Sequence, residues 1–222
     1  MKNYTLQLLE DRLIEGGEIS RPLPPRYRVV YVVEGGMTIT SDEPAHEFSQ
    51  NSAWFGVGEC TLKAGADGAR LWRWELVETP VVDDNIASGH GASSRIVQGQ
   101  DLNLDVQVEY LMRCDRVDFP LGGIAYTHTH PGPGIRCLLR GEIRTEYTKL
   151  KTLIQAGQSW FERGPDPVLA LASATHPTSF VRTMFLPRSL KGKSSIQYVN
   201  PEDRDKPKRQ QYTRFVDEFI DI

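Results

Sequence analysis

The feature that most restricts the fold of this chain is an internal repeat with a constant offset of 106 residues. Four landmarks of the first half recur in the second half without a gap: Gly16-Gly17 as Gly122-Gly123, Gly35 as Gly141, Trp54-Phe55 as Trp160-Phe161, and Gly58 as Gly164. One offset shared by four landmarks is hard to obtain by chance. A repeat of about 100 residues is too long for a solenoid unit, so it predicts a duplicated domain.

Each half of the chain has the pattern of short β-strands separated by turns. Residues 27–33 are rich in β-branched and aromatic side chains, and a second such run at residues 37–40 follows the glycines Gly35-Gly36, which predicts a hairpin. Neither half shows a clear helical period. We therefore predict an all-β protein with one barrel or sandwich in each half.

Repeat and composition together predict four segments. These are an N-terminal domain over residues 1–88, a linker over residues 89–104, a C-terminal domain over residues 105–200 and a tail over residues 201–222. The linker is predicted because this stretch is polar, rich in glycine and serine, and without a sustained period.

The tail has apolar residues at the spacing of one helical stripe, namely Tyr212, Phe215, Val216, Phe219 and Ile220. This spacing predicts a helix. Because five residues are a short sample, an extended arm is the alternative.

The composition excludes several classes of function. With 39% hydrophobic and 25% charged residues, the chain can bury an ordinary core. The net charge is −3, and acids and bases are interspersed, so neither nucleic-acid nor membrane binding is expected. Three distant cysteines without metal-type spacing favour a reducing, cytoplasmic setting. No secretory signal and no membrane-spanning run is expected.

The second half contains a His-x-His pair, His128 and His130, on a predicted strand. Residues two apart on a strand point to the same side. If both histidines face inward, strand alternation places Arg136 inward too, where its charge needs either the carboxylate of Glu162 or an anionic ligand. The alternative is an outward Arg136 between the barrels. After a gap of three residues in the repeat, Arg73 aligns with Arg182, which favours a structural role for both.

This stretch resembles the first motif of the cupin superfamily, which is Gly, five residues, His-x-His, three or four residues, Glu, six residues, Gly. Gly122, His128, His130 and Gly141 fall in register, and Gly134 stands at the Glu position. The second motif matches more loosely: Gly157 and Gly164 hold its glycines, Glu162 stands at its proline position, and Pro167 stands at its histidine position. The resemblance implies a bicupin, two tandem jelly-roll barrels with a degenerate metal site.

The first half departs further from the motif. At the offset of 106 residues, Pro22 and Pro24 stand opposite His128 and His130, and Arg28 stands opposite Gly134. We therefore expect the N-terminal barrel to lack metal ligands and to have a structural role.

In most cupins two histidines, a glutamate and a third histidine hold a divalent metal, so the resemblance implies iron, manganese, nickel or zinc here. His128 and His130 would be metal ligands, with Glu162 as third ligand or general base and Arg136 as anchor for a substrate carboxylate. Two alternatives remain: a metal-free ligand pocket that uses the same imidazoles, and no chemical role.

The resemblance implies a bicupin that handles a small, anionic organic molecule in its C-terminal barrel. A metal-dependent, dioxygenase-like enzyme is the leading expectation, followed by an isomerase or lyase. The alternatives are a non-catalytic small-molecule binding or sensor protein without metal, and a scaffold with a relic pocket. A homodimer is expected from the family, and no DNA-binding helix pair accompanies the barrels.

Overall fold

The computed structural model describes residues 3–19, 21–41, 44–80, 86–105, 107–147 and 150–222. The chain divides into two units, unit 1 over Met1–Val106 and unit 2 over Gln107–Ile222. Of the helices in the described part of the chain, none is long and apolar enough to cross a membrane.

Unit 1 is a single antiparallel sheet whose strands follow the order β3-β2-β5-β1-β6, with β4 added beside β2. Its described strands are β1 (Tyr4–Ile19), β2 (Arg28–Thr40), β3 (His46–Ser49), β4 (Ala53–Gly56), β5 (Thr61–Glu78) and β6 (Gly89–Leu102). The pairing register of the long strands β1 and β5 is irregular between Leu13 and Glu18 of β1. Apolar side chains of β2 and β5, including Val30, Val32, Ile39, Leu62 and Leu71, form the buried core.

Unit 2 consists of two five-stranded antiparallel sheets, in the orders β11-β10-β13-β8-β15 and β12-β9-β14-β7-β16. Its described elements are β7 (Tyr110–Phe119), β8 (Ile124–Thr129), β9 (Gly134–Arg140), β10 (Glu142–Tyr147), β11 (Leu150–Gln155), β12 (Ser159–Glu162), β13 (Val168–Ala172), β14 (Thr178–Pro187), β15 (Gln197–Tyr198) and β16 (Gln211–Ile220), with short 3₁₀ helices at Arg188–Leu190 and Pro201–Asp203.

The core of unit 2 lies between its two sheets. Val117, Leu138 and Phe180 from one sheet pack with Ile143 and Ala172 from the other in one buried cluster. Alternating side chains face this core along each strand, as expected for two packed sheets. The predicted all-β fold with a jelly roll is therefore confirmed.

The register of the strands reproduces the sequence repeat. In unit 1, Arg28 of β2 pairs with Gly56 of β4. In unit 2, Gly134 of β9 pairs with Glu162 of β12. Both partners are shifted by 106 residues, so the duplication extends from the sequence to individual residue pairs.

The stretch expected as a linker, residues 89–104, forms strand β6 instead. This strand pairs with β1 along most of its length. It is an edge strand, and most of its side chains are partly or fully exposed, so polar residues and glycines are tolerated there. The linker prediction was wrong because the pairing with β1 decides the conformation and leaves no trace in the local pattern.

The tail is an extended arm and not a helix. Strand β16 pairs antiparallel with β7, with one irregularity between Arg214 and Val216. Val216 and Ile220 are buried, whereas Tyr212 and Phe219 are largely exposed. The helical prediction failed because it counted residues from both faces of a strand as one stripe.

Candidate functional site

His128 and His130 lie side by side in the interior of unit 2. His128 belongs to β8, and His130 is the residue that follows this strand. Both side chains are buried, and their ring centroids are 5.0 Å apart. The two rings line the same small cavity, as the alternation of side chains along a strand predicts.

Arg136 faces the same cavity and is paired with Glu162. Its Nη2 lies 2.7 Å from Oε2 of Glu162, and its Nη1 donates to the carbonyl oxygen of Gly134 at 2.6 Å. The other carboxylate oxygen of Glu162 accepts a hydrogen bond of 2.9 Å from the indole Nε1 of Trp160. Of the two arrangements considered for Arg136, the structure has the inward one, and the expected carboxylate partner is present.

Arg182 of β14 joins this group. Its Nε and Nη2 donate to the carboxylate of Asp115 at 2.6 and 3.2 Å, and its Nη1 lies 3.2 Å from Nε2 of His130. From the sequence we expected only a structural role for Arg182. We name His128, His130, Arg136, Glu162 and Arg182 the central cluster.

The hydrogen bonds define the proton positions on both histidines. Because arginine can only donate, Nε2 of His130 accepts from Arg182, and the proton sits on Nδ1, which is 3.2 Å from the carbonyl oxygen of Ser195. In the same way, Nδ1 of His128 donates to the carbonyl oxygen of Tyr126 at 2.7 Å. Each ring therefore presents Nε2 without a proton.

Both imidazoles are held in the neutral form. Burial lowers the pKa of His130 well below its usual value, and the charges of Arg182 and Arg136 lower it further. Burial also lowers the pKa of His128, and the nearby carboxylate of Glu162 opposes this effect only in part.

The cavity enclosed by the central cluster is small. Its volume is about 20 Å³, and apolar walls are supplied by residues such as Phe119 and Phe180. A space of this size holds about one water molecule. A larger ligand can therefore enter only if a side chain of the cluster moves.

Tyr147, the last residue of β10, was missed by the sequence reasoning. Its hydroxyl is buried and has no hydrogen-bond partner among the described residues. Burial raises the pKa of Tyr147, and the charge of Glu162 adds to this shift. A buried donor without a partner, within electrostatic reach of Glu162 and Arg136, is unusual.

The arrangement of the central cluster does not fit a metal ion. In the part of the chain that the structure describes, no group of three or more His, Cys, Asp or Glu residues could hold one. His128, His130 and Glu162 reach one cavity, but both oxygens of Glu162 are bound to Arg136 and Trp160. Arg182 occupies Nε2 of His130, and the two guanidinium groups repel a cation.

In unit 1, the residue that corresponds to Gly134 by the repeat is Arg28, and its side chain is buried. Its Nε donates to Glu75 at 2.9 Å, its Nη1 contacts the carbonyl of Gly58 and Sγ of Cys60, and its Nη2 donates to the carbonyl of Pro24. By the repeat, Pro24 corresponds to His130, so a backbone oxygen bound to arginine replaces the imidazole.

A second buried arginine completes the charge network of unit 1. Arg73 binds both oxygens of Asp11, at 2.7 and 2.9 Å, and Oε1 of Glu75 at 2.6 Å. Nη1 of Arg26 also lies 3.6 Å from Oε2 of Glu75, so three arginines and two carboxylates form one charge network in this unit.

The other three histidines, His46, His90 and His176, are exposed and lie outside the central cluster. Asp166 is half-buried and binds Arg163.

The chain has a tandem cupin fold, in which two consecutive units have the fold of cupin jelly-roll barrels. No protein-family model matches the sequence, and no curated protein has a matching sequence. The resemblance to solved structures is therefore one of fold.

Three solved structures illustrate this resemblance. A single-residue variant of Bacillus subtilis oxalate decarboxylase has a TM-score of 0.67 and 11% identity, with 90% of this chain and 73% of that chain covered. AerE from Microcystis aeruginosa has a TM-score of 0.59 and 8% identity, covering 82% and 88%. A putative glyoxylate-induced protein from Pseudomonas aeruginosa has a TM-score of 0.57 and 16% identity, covering 83% and 75%.

Proposed function

We propose that unit 2 binds a small organic carboxylate at the central cluster, without a metal, by exchanging it for the carboxylate of Glu162. The observation that carries this proposal is the ion pair between Arg136 and Glu162, because it places a carboxylate on a buried guanidinium within the barrel. A planar guanidinium recognises any carboxylate by the same geometry.

The charges of the site favour exchange over simple addition. Arg136 and Arg182 are balanced by Glu162 and Asp115, and both histidines are neutral. An additional anion would leave an uncompensated charge in the interior, which is very costly. A ligand that replaces Glu162 keeps the balance.

Glu162 is placed so that it can leave. It is the last residue of β12, and the next residue, Arg163, is largely exposed and binds the half-buried Asp166. Asp115, in contrast, lies within β7, a strand that is paired on both sides, with β14 and with β16.

The test compares two variants by isothermal titration calorimetry with oxalate, glyoxylate and malonate. The first two probes are chosen because structural neighbours are named after oxalate and glyoxylate. Glu162→Gln removes the internal competitor, so we expect carboxylates to bind about tenfold more tightly or better. Arg136→Met/Glu162→Gln removes the anchor together with its partner, so we expect binding to be lost.

Arg144→Gln is the matched control, because Arg144 is an exposed arginine of the same unit that pairs with Glu146. It should bind like the wild type. The proposal is wrong if none of the acids binds saturably to the wild type or to Glu162→Gln, or if the double variant binds as tightly as Glu162→Gln.

A metal-dependent, dioxygenase-like oxidoreductase is the second candidate. One observation favours it: Nδ1 of each histidine is fixed by a backbone carbonyl, the arrangement that presents Nε2 to a ligated ion. Metal binding would require the Arg136–Glu162 ion pair and the Arg182–His130 hydrogen bond to break. Elemental analysis of tag-free protein tests it, since near-stoichiometric iron, manganese, nickel or zinc that disappears in His128→Ala/His130→Ala would support it.

We further propose that the protein works in a reducing cytoplasm as a homodimer. The three cysteines are buried and free, as expected for reduced thiols. Light scattering of the full chain tests the dimer.

A further inference from the structure

A second cavity of unit 2 adjoins the central cluster. Its volume is about 250 Å³, and we name it the outer cavity. Its polar lining comes from three arginines, one aspartate and three hydroxyl residues: Arg113, Arg182, Arg214, Asp115, Ser194, Ser195 and Tyr212. Arg182, Ile196 and Tyr212 also line the small cavity beside the histidines. The outer cavity is smaller than the roughly 300–1,000 Å³ of drug-sized sites, so it suits a small metabolite.

The charges around the outer cavity do not balance. Arg182 is neutralised by Asp115, which also lines the cavity. Arg113 is neutralised by Asp217, which accepts hydrogen bonds of 2.8 and 3.2 Å from it. Arg214 reaches the same carboxylate only at 3.4 Å, so it adds a third positive charge to two negative ones.

Asp217 has little capacity left to neutralise Arg214. Besides Arg113, it accepts a hydrogen bond of 2.7 Å from the backbone N–H of Gly192. The side chain of Arg214 is about one-third exposed, so its excess charge faces the cavity without being fully dispersed into bulk water.

The neutral groups of the lining suit an oxyanion as well. The hydroxyl groups of Ser194, Ser195 and Tyr212 can each donate one hydrogen bond. The guanidinium carbon of Arg182 lies 5.8 Å from the centre of the Tyr212 ring, so the aromatic face supports the orientation of this arginine.

We propose that the outer cavity is a second oxyanion site, which takes a small singly charged organic carboxylate or phosphate. The site goes beyond the proposed function, because Arg113, Arg214 and Ser194 do not belong to the central cluster. Arg182 is the physical link between them: an anion that accepts from its Nη1 competes with Nε2 of His130 for the same group.

The experiment is an NMR titration of the histidine-labelled full chain with propionate and, separately, with inorganic phosphate. We expect the signals of His130 to shift saturably, because its acceptor bond to Arg182 weakens, while the exposed His46, His90 and His176 stay unchanged. The two probes show whether the site prefers a carboxylate or a phosphate.

Variants identify the cavity responsible. Arg214→Gln should raise the dissociation constant read from His130 by about tenfold or more, as expected for loss of a charged hydrogen bond. Arg144→Gln should leave it unchanged. The proposal is overturned if His130 does not respond saturably to either probe, or if Arg214→Gln binds like the wild type.

The two proposals fail in different ways. The Arg136→Met/Glu162→Gln variant should lose binding at the central cluster and retain the response that depends on Arg214. If only the central cluster binds anions, Arg214→Gln has no effect. If only the outer cavity binds them, Glu162→Gln has no effect.

Discussion

The hydrogen bond between Arg182 and His130 constrains both residues. Arg182 cannot accept, so it excludes a proton from Nε2 of His130, and its charge lowers a pKa that burial has already lowered. The ring stays neutral and keeps its Nε2 lone pair directed at the guanidinium. At the scale of single residues, the arginines of the site are hydrogen-bond donors and the imidazoles are acceptors.

We expect the free energy of unfolding of unit 2 to fall as the pH is lowered from about 7 towards 5. In the unfolded chain His128 and His130 regain a pKa of about 6.5 and take up protons, whereas the folded rings, with lowered pKa values, do not. Since the unfolded state then binds more protons, each histidine reduces stability by up to about 1.4 kcal/mol per pH unit.

Urea unfolding at several pH values, followed by the NMR signal of the Trp160 indole, measures this slope. His130→Asn removes one of the titrating groups and should make the pH dependence shallower. His176→Asn changes an exposed histidine and should leave it as it is. An equal slope for His130→Asn and the wild type would contradict the expectation.

Strand β9 lies too close to β14 for a side chain at Gly134. Gly134, which stands at the position of the cupin glutamate, lies against β14: a Cβ atom there would be 2.4 Å from the carbonyl oxygen of Thr183 and 2.7 Å from Cγ of Met184. A side chain at this position would push the two strands apart. The approach of β9 to β14 is therefore incompatible with the metal ligand.

Gly134→Ala should accordingly destabilise unit 2 by about 2 kcal/mol or more, as overpacking does. The comparison is Gly122→Ala, whose Cβ would have no atom within 4 Å and which costs only the strain of its positive φ of 62°, about 1 kcal/mol. Thermal unfolding of both variants measures the difference. If Gly134→Ala is no less stable than Gly122→Ala, the packing argument is wrong.

The sequence was most informative where a pattern is local. The inward pair of Arg136 and Glu162 follows from strand alternation and from the need to neutralise a buried charge. The duplication follows from the constant offset of the repeat. Strands β6 and β16 could not be predicted, because pairing with β1 and β7 decides their conformation. The contact of Arg182 with His130 and the outer cavity depend on the same long-range register.

At the scale of the whole molecule, the two units hold equivalent interiors in different ways. Unit 1 closes its interior with Arg28, Arg73, Asp11 and Glu75, all with buried side chains. Unit 2 keeps two neutral histidines and a cavity at the corresponding place. Under the proposed function, binding therefore belongs to unit 2, and the charge network of unit 1 serves stability.

Arg73→Met tests this division. It leaves Asp11 buried without its arginine, so we expect unit 1 to lose about 3–5 kcal/mol. The indole signals of Trp72 and Trp74 during urea unfolding report on unit 1. Arg73→Met/Asp11→Asn should restore part of the loss.

The carboxylate affinity of unit 2 should not change in the Arg73→Met variant under conditions in which unit 1 stays folded. A parallel loss of that affinity would show that the two interiors depend on each other.

The charge network of unit 1 also bears on the history of the duplication. Asp11 and Glu75 are buried among arginines, so replacing either carboxylate with a neutral residue leaves positive charge in the interior with less compensation, which is destabilising. Under the proposed function, we therefore expect binding specificity to vary mainly through the second copy of the gene segment.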